Sequence, residues 1–176
     1  MLRHIVFAAA LFSVAFACDA FPNNTQAAFK WWQCEASPIT FFNVTPLGDN
    51  GQALYPITLT KPLKVQLDLD NQGKIYNKLS LSVRIWSWDT TFGCGWVEIP
   101  TFGLLSGRDA CARAINCPLK KGRQSIPFTL DFTKFNFIIG LLRNNAPYQI
   151  EIHLADESDD TDDETCVRAQ ARALTR

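Results

Sequence analysis

The sequence has little histidine, and this limits the chemistry it can perform. Of its two histidines, His4 and His153, only His153 lies outside the N-terminal region. A Ser-His-Asp or Cys-His apparatus needs an imidazole held between a nucleophile and an acid, whereas the alternation around His153 predicts an exposed side chain on the polar face of a strand. Asp68, Asp70 and Asp131 also fall on outward faces, which argues against a glycosidase pair of carboxylates. We therefore predict a protein that is not an enzyme and carries neither a metal nor a cofactor.

The chain also lacks an excess of charge of either sign. Its 17 basic residues balance its 17 acidic residues, and its aromatic residues are not interleaved with basic clusters. This distribution does not provide the electrostatic footprint of a nucleic-acid-binding protein, so nucleic acid is not an expected partner. Heptads, internal repeats and long linkers are absent as well, and we expect a monomer with one domain.

No apolar run is long enough to span a bilayer, but the N-terminus has the pattern of a secretory signal peptide. A basic start precedes an apolar run over residues 5–16, which is shorter than a transmembrane helix requires. Ala17 and Ala20 are small residues that suit cleavage. Residues 1–20 are therefore predicted to be a signal peptide cleaved after residue 17 or 20, and residues 21–176 a single domain.

The cysteines and two sequons fit export to an oxidising compartment. Cleavage after residue 20 would leave one thiol over, whereas cleavage after residue 17 keeps Cys18 and makes the count even; both remain open. The spacing of Cys111 and Cys117 is too wide for a CxxC pair and lacks the partners of a zinc site, so it indicates a structural disulfide. Sequons at Asn23 and Asn43 predict glycosylation, and Asn43 is the better candidate because Asn23 lies near the new terminus.

Alternation of polar and apolar residues predicts β-strands. Residues 64–70 and 79–85 alternate with turn residues between them, which predicts an antiparallel hairpin. Residues 126–132 alternate too, and residues 148–154 and 167–173 predict a closing hairpin. A terminal helix is the alternative for the alanines of the last segment, but their two-residue spacing favours a strand. Together these segments predict an all-β sandwich.

An acidic segment separates the last two predicted strands. Residues 156–164 hold seven carboxylates, which predicts a solvated loop. A calcium loop is the alternative, but the glycine of an EF-hand loop and its flanking helices are missing. A further hypothesis is that this loop loses part of its charge in an acidic lumen, because crowded carboxylates make one another harder to ionise. If that loss eases docking, binding to anionic membranes should rise as pH falls.

Large apolar residues occur where connections between strands are usually polar. They fill the region before Cys111 and residues 137–142. The inward residues Ala169, Ala171 and Ala173 of the last strand are small, and the volume they leave is costly unless a ligand fills it. We therefore predict an apolar cavity in which a lipid gains about 0.8 kcal/mol per buried methylene. The predicted lipid-binding residues are Val65, Leu67, Leu69, Leu81, Val83, Ile85, Trp96, Phe102, Leu104, Leu105, Phe128, Leu130, Phe132, Phe137, Ile138, Leu141, Leu142, Ile150 and Ile152.

Four segments together resemble the ML lipid-recognition domain family. They are FKWWQC at residues 29–34, PLKVQLDL at residues 62–69, the cysteine loop with its following strand at residues 111–122, and YQIE at residues 148–151. The resemblance implies an immunoglobulin-like sandwich of two antiparallel sheets that holds a lipid between them and has no catalytic residue.

The same resemblance implies a disulfide pattern. Cys34 would pair with Cys166, and Cys111 with Cys117. Some members of the family carry further disulfides near the position of Cys94, but the partner cysteines are missing from this sequence, which leaves Cys94 either free or paired with Cys18.

The resemblance also implies a function. The expected protein is a secreted or lysosomal carrier of a sterol, fatty acid, phospholipid or glycolipid, which touches a membrane transiently and presents the lipid to an acceptor or hydrolase. The alternative is an extracellular lipid-recognition subunit of a receptor of the innate-immunity type. The sequence does not distinguish between them.

Overall fold

Two β-sheets pack face to face around one apolar core in the computed structural model, which describes residues 18–91, 93–158 and 164–176. The predicted signal peptide up to residue 17 lies outside the described residues. The strands are β1 Lys30–Gln33, β2 Ile39–Leu47, β3 Ile57–Thr58, β4 Leu63–Asn71, β5 Leu79–Asp89, β6 Gly95–Glu98, β7 Arg108–Asp109, β8 Gly122–Leu130, β9 Ala146–Asp156 and β10 Glu164–Leu174. The helical elements are a 3-10 turn at Pro22–Asn24, α1 Ala110–Arg113 and α2 Asn136–Leu141.

The two sheets differ in size. The larger sheet has the order β1-β10-β9-β5-β6, with β3 beside β10 and β7 beside β5, and the smaller sheet has the order β2-β4-β8. All pairings are antiparallel except the two-residue contact of β3 with β10. The predicted immunoglobulin-like all-β sandwich is therefore confirmed. No helix in the described part of the chain has the length and apolar character needed to span a membrane.

Period-2 alternation sets which face of each strand is buried. In β4, Val65, Leu67 and Leu69 are buried while the residues between them are more exposed, and β5 follows the same rule at Leu79, Leu81, Val83 and Ile85. The predicted hairpin of these two segments is nevertheless wrong, because β4 pairs with β2 and β8 whereas β5 pairs with β9, β6 and β7. Alternation identifies the buried face but not the neighbouring strand, and residues 72–78 cross from one sheet to the other.

The closing hairpin is confirmed, since β9 and β10 pair in register from Ala146↔Ala173 to Ala155↔Glu164. This pairing also rules out the terminal helix. Residues 137–142, which fit neither period, lie largely in α2, where Ile138 is buried and Phe137 and Leu141 are exposed.

Three disulfides brace the fold, and they include both pairs that the resemblance implies. Cys34 is joined to Cys166, Cys111 to Cys117, and Cys18 to Cys94, so that no described cysteine is free. None of these bonds joins a strand of the larger sheet to a strand of the smaller sheet.

The acidic segment is only partly the solvated loop that was expected. Residues 159–163 lie outside the described residues. Asp156, at the end of β9, is buried against the β4–β5 connection, where its Oδ2 lies 2.7 Å from Lys74 Nζ. The expectation was wrong for Asp156 because a carboxylate with a cationic partner can be buried at acceptable cost.

Candidate binding cavity

A cavity of about 100 Å³ lies between the two sheets. Its wall is almost wholly apolar, and two of its lining residues, Thr165 and Tyr148, have hydroxyl groups. The Tyr148 hydroxyl donates to the Arg143 carbonyl at 2.8 Å. The lining residues are Phe29, Phe41, Val44, Pro46, Ile57, Leu59, Leu63, Val65, Leu67, Ile85, Phe128, Leu130, Phe132, Tyr148, Ile150, Ile152, Leu154, Thr165, Val167, Ala169, Ala171 and Ala173.

The alanines of β10 form part of the cavity wall. Ala169, Ala171 and Ala173 all line the cavity, as the two-residue spacing predicts. Their neighbours on β9 are larger, since Ala169 pairs with Ile150 and Ala171 with Tyr148. A strand of methyl groups beside bulky neighbours leaves a trough that the smaller sheet does not fill.

The predicted lipid-binding residues fall into four groups. Val65, Leu67, Ile85, Phe128, Leu130, Phe132, Ile150 and Ile152 line the cavity. Leu69, Ile138 and Leu142 are buried in the core but do not line the cavity. Leu81, Val83 and Leu105 line a second cavity, and Trp96, Phe102, Leu104, Phe137 and Leu141 lie outside both.

Several lining residues were missed by the sequence analysis. Phe41, Val44 and Pro46 belong to β2, whose alternation is interrupted by an irregularity between Phe41 and Asn43. A bulge shifts the side-chain period and hides a strand from pattern reasoning. Ile57 of the two-residue β3 offers too short a signal to detect.

The large apolar residues that precede Cys111 are only partly buried. The connection after β6 folds back onto β5, where Val83 N donates to Leu105 O at 2.8 Å, so Leu105 is buried. Phe102 and Leu104 remain 74% and 39% exposed. Trp96 is also outside the cavity, because it packs edge-on against Trp88, with ring centroids 5.2 Å apart.

Four exposed apolar residues form an aromatic patch, defined by Phe102 and Leu104 of this connection and Phe137 and Leu141 of α2. The rings of Phe102 and Phe137 lie 5.9 Å apart and bring the two segments together. Phe137 is 55% exposed and Leu141 is 44% exposed. Clustered exposed apolar residues of this kind mark contact surfaces.

The second cavity, here called the basic groove, has a volume of about 520 Å³ and lies between β5, α1 and the end of β8. Its apolar lining includes Leu81, Val83 and Leu105. Its charged residues are Arg108, Arg113, Lys134, Asp109 and Asp131. Leu130 and Phe132 line both the groove and the apolar cavity, so the two spaces share a wall.

An ionic cluster lies on the outer face of the larger sheet. Glu151 is 3% exposed, and its carboxylate accepts hydrogen bonds from Arg168 Nε at 2.7 Å and from His153 Nε2 at 2.8 Å. His153 Nδ1 also contacts Glu164 on the neighbouring strand. The sequence correctly placed His153 on the outer, polar face of its strand, but the ring is only partly exposed because carboxylates of two adjacent strands contact it.

The ionic cluster perturbs the titration of its members. Burial lowers the pKa of His153, but hydrogen bonds to Glu151 and Glu164 raise it, and the net pKa lies above its usual value. Burial raises the pKa of Glu151, but hydrogen bonds from His153 and Arg168 lower it, and the net pKa lies below its usual value.

One group among the described residues has the spacing of metal ligands. The sulfurs of Cys34 and Cys166 and a carboxylate oxygen of Glu151 lie within 4.8 Å of one another. Both sulfurs belong to one disulfide, so no thiolate remains to coordinate an ion.

Known proteins place these features in context. A family model described as the ML domain matches residues 28–173. A solved structure of a Niemann-Pick type C2 protein from the Japanese carpenter ant is similar at 15% identity, covering 82% of this chain and 98% of that chain with a TM-score of 0.49. No curated protein matches the chain.

Proposed function

Because the chain belongs to the ML domain family, whose members are lipid-binding domains, we propose that it carries a lipid with its tail between the two sheets and transfers it between membranes without catalysis. The observation that carries this proposal is the apolar cavity with its alanine wall. A hydrocarbon chain matches such a lining, which offers almost no hydrogen-bonding groups to a polar ligand.

The energetics favour an occupied cavity. An empty cavity of about 100 Å³ costs on the order of 2 kcal/mol, at about 24 cal/mol per Å³. Each methylene that enters gains about 0.8 kcal/mol. Binding a tail therefore removes a defect of the free protein and buries apolar ligand surface at once.

The cavity must widen to take a whole lipid tail. Pockets for drug-sized ligands have volumes of about 300–1,000 Å³, whereas this cavity has about 100 Å³. The three disulfides leave the strands of the two sheets unlinked. We therefore infer that the sheets separate when the lipid enters, while the disulfides hold the larger sheet and its connections together.

The aromatic patch is the proposed contact with the membrane. Phe102 and Phe137 are the most exposed of the large apolar side chains among the described residues, and they lie side by side. Aromatic and aliphatic side chains that project together can enter the headgroup region of a bilayer. The patch adjoins the basic groove, because Arg108 Nε donates to Leu104 O at 3.0 Å.

A secreted or lysosomal location is proposed on the disulfides. Three disulfides in a chain of this size are typical of an oxidising compartment. Since Cys18 pairs with Cys94, cleavage after residue 17 would retain the whole set. Asn23 and Asn43 are both exposed. The Asn43 amide donates only within its own sequon, to Thr45 at 2.9 Å, whereas the Asn23 amide donates to Gln170 of β10 at 2.7 Å, so Asn43 is the proposed glycan site.

A vesicle assay tests transfer. The protein should move a fluorescent acyl lipid from donor to acceptor vesicles, and Ala171→Leu should slow this transfer because the added carbons fill the cavity. Ala155→Leu, an equal change on the opposite face of the same sheet, should leave it unchanged. Tight lipid binding without exchange would favour the receptor-subunit alternative, and a protein that neither binds nor transfers lipid would contradict the proposal.

A further inference from the structure

The cations of the basic groove are better placed for a ligand than its carboxylates are. Neither Arg113 nor Lys134 forms a hydrogen bond or an ion pair with any described side chain. The two acids have local partners instead: Asp109 Oδ1 accepts from Ala112 N at 3.0 Å, and Asp131 Oδ1 accepts from Thr133 N at 3.0 Å. The groove therefore offers two cations whose hydrogen-bond donors are unused within the described residues, although both interact electrostatically with the nearby Asp131, while Oδ1 of each carboxylate accepts a hydrogen bond from the backbone.

A third cation is held in place at the same rim. Arg108 Nε donates to Leu104 O at 3.0 Å, and its guanidinium lies 5.5 Å from the centre of the Phe135 ring. The terminal nitrogens of Arg108 have no hydrogen bond within the described residues. A guanidinium anchored through Nε and a ring can still present its outer nitrogens to an anion, with little loss of side-chain freedom on binding.

The position of the groove connects these cations to the apolar cavity. Leu130 and Phe132 separate the two spaces and line both. Leu81, Val83 and Leu105 continue the apolar surface on the groove side. A ligand that leaves the cavity past Leu130 and Phe132 therefore crosses apolar side chains before it reaches the three cations.

We propose that the basic groove binds the phosphate of an anionic phospholipid whose acyl chain occupies the apolar cavity. This inference rests on the proposed function and names the lipid class for the same site. With three cations against two acids, the lining residues carry a formal charge of +1. A sterol or a neutral glyceride would bring no anionic acceptor to these cations, whereas a phosphate diester would accept hydrogen bonds from them.

Equilibrium binding of two lipids with identical acyl chains tests the inference. Phosphatidylglycerol carries the phosphate and diacylglycerol lacks it, so their affinity ratio isolates the headgroup. Charge-assisted hydrogen bonds predict that the protein binds phosphatidylglycerol about 10-fold more tightly. The double variant Arg113→Gln/Lys134→Gln should lose most of this preference and bind diacylglycerol as before.

The matched control is Lys120→Gln/Lys121→Gln, which removes the same charge from exposed positions just before β8. It should retain the preference. Thermal unfolding of both double variants should match the unmodified protein, because all four side chains are exposed. Inorganic phosphate is added alone as a further arm, and we expect it to bind far more weakly than phosphatidylglycerol.

The outcomes separate the two proposals. Diacylglycerol binding with no preference for phosphatidylglycerol would overturn the inference and leave the proposed function standing. A preference that survives in Arg113→Gln/Lys134→Gln would also overturn it, as would inorganic phosphate that binds as tightly as the lipid. If neither lipid bound, the proposed function itself would fail, and the inference would fail with it.

Discussion

His153 Nε2 lies 2.8 Å from Glu151 Oε1 on the outer face of the larger sheet. The same imidazole contacts Glu164 through Nδ1, so one ring joins carboxylates on β9 and β10. Arg168 supplies a further cation to Glu151, whose carboxylate is almost completely buried. The cluster sits beside the Cys34–Cys166 disulfide, which joins β10 to the residue after β1.

This cluster predicts that stability depends on pH. The pKa of His153 is raised in the folded state. Its contribution to the free energy of unfolding is therefore fully present below about pH 6.5 and is lost as pH rises through the folded pKa. The pKa of Glu151 is lowered, so its contribution is present above about pH 4.3 and is lost as pH falls through the folded pKa. The folded protein should therefore gain most from the cluster in mildly acidic solution.

His153→Gln tests this dependence. The variant should lose about 1 kcal/mol of unfolding free energy at pH 5.5, since the ring is partly exposed, and much less at pH 8. Urea unfolding at both values measures the difference. An equal loss at pH 5.5 and pH 8 would show that protonation of His153 does not contribute.

The Cys18–Cys94 bond predicts the mature N-terminus. If cleavage follows residue 17, the secreted chain should begin at Cys18 and contain no free thiol. Intact mass and thiol titration under denaturing conditions measure both properties. A chain beginning at Phe21 with one reactive thiol would contradict the prediction.

The aromatic patch predicts a specific loss of membrane binding. Phe102→Ser/Phe137→Ser should lower the fraction that co-sediments with vesicles at least fivefold, because each change removes a large apolar side chain from the interface. Ile75→Ser, which alters a 51% exposed residue of the β4–β5 connection, is the control and should bind vesicles normally. Lipid delivered from detergent should fill both variants equally. Unaltered co-sedimentation of the double variant would place the membrane contact elsewhere.

The sequence predicted which face of each strand is buried better than it predicted which strands pair. Alternation is a local property, so it identified the buried sides of β4 and β5 and the alanine wall of β10. Pairing depends on distant contacts, and the β4–β5 hairpin was therefore wrong.

The part of the candidate site that lies in regular strands was predicted, because alternation is local, but the part that lies in connections was not. Residues that line the cavity from regular strands, such as Phe128 and Ile150, followed from their period. Apolar residues in connections had no period to place them, so Leu105 and Phe102 looked alike in sequence although one is buried and the other exposed. The groove cations Arg113 and Lys134 gave no signal, because only the fold brings α1 next to the end of β8.

The central claim is that the cavity holds a lipid, and native mass spectrometry of the protein purified from the cells that make it tests this most directly. We predict that the chain carries the added mass of one lipid, and that Ala171→Leu carries less of it while Ala155→Leu carries the same amount. A chain that shows no added mass, or an Ala171→Leu variant that retains the lipid in full, would contradict the account.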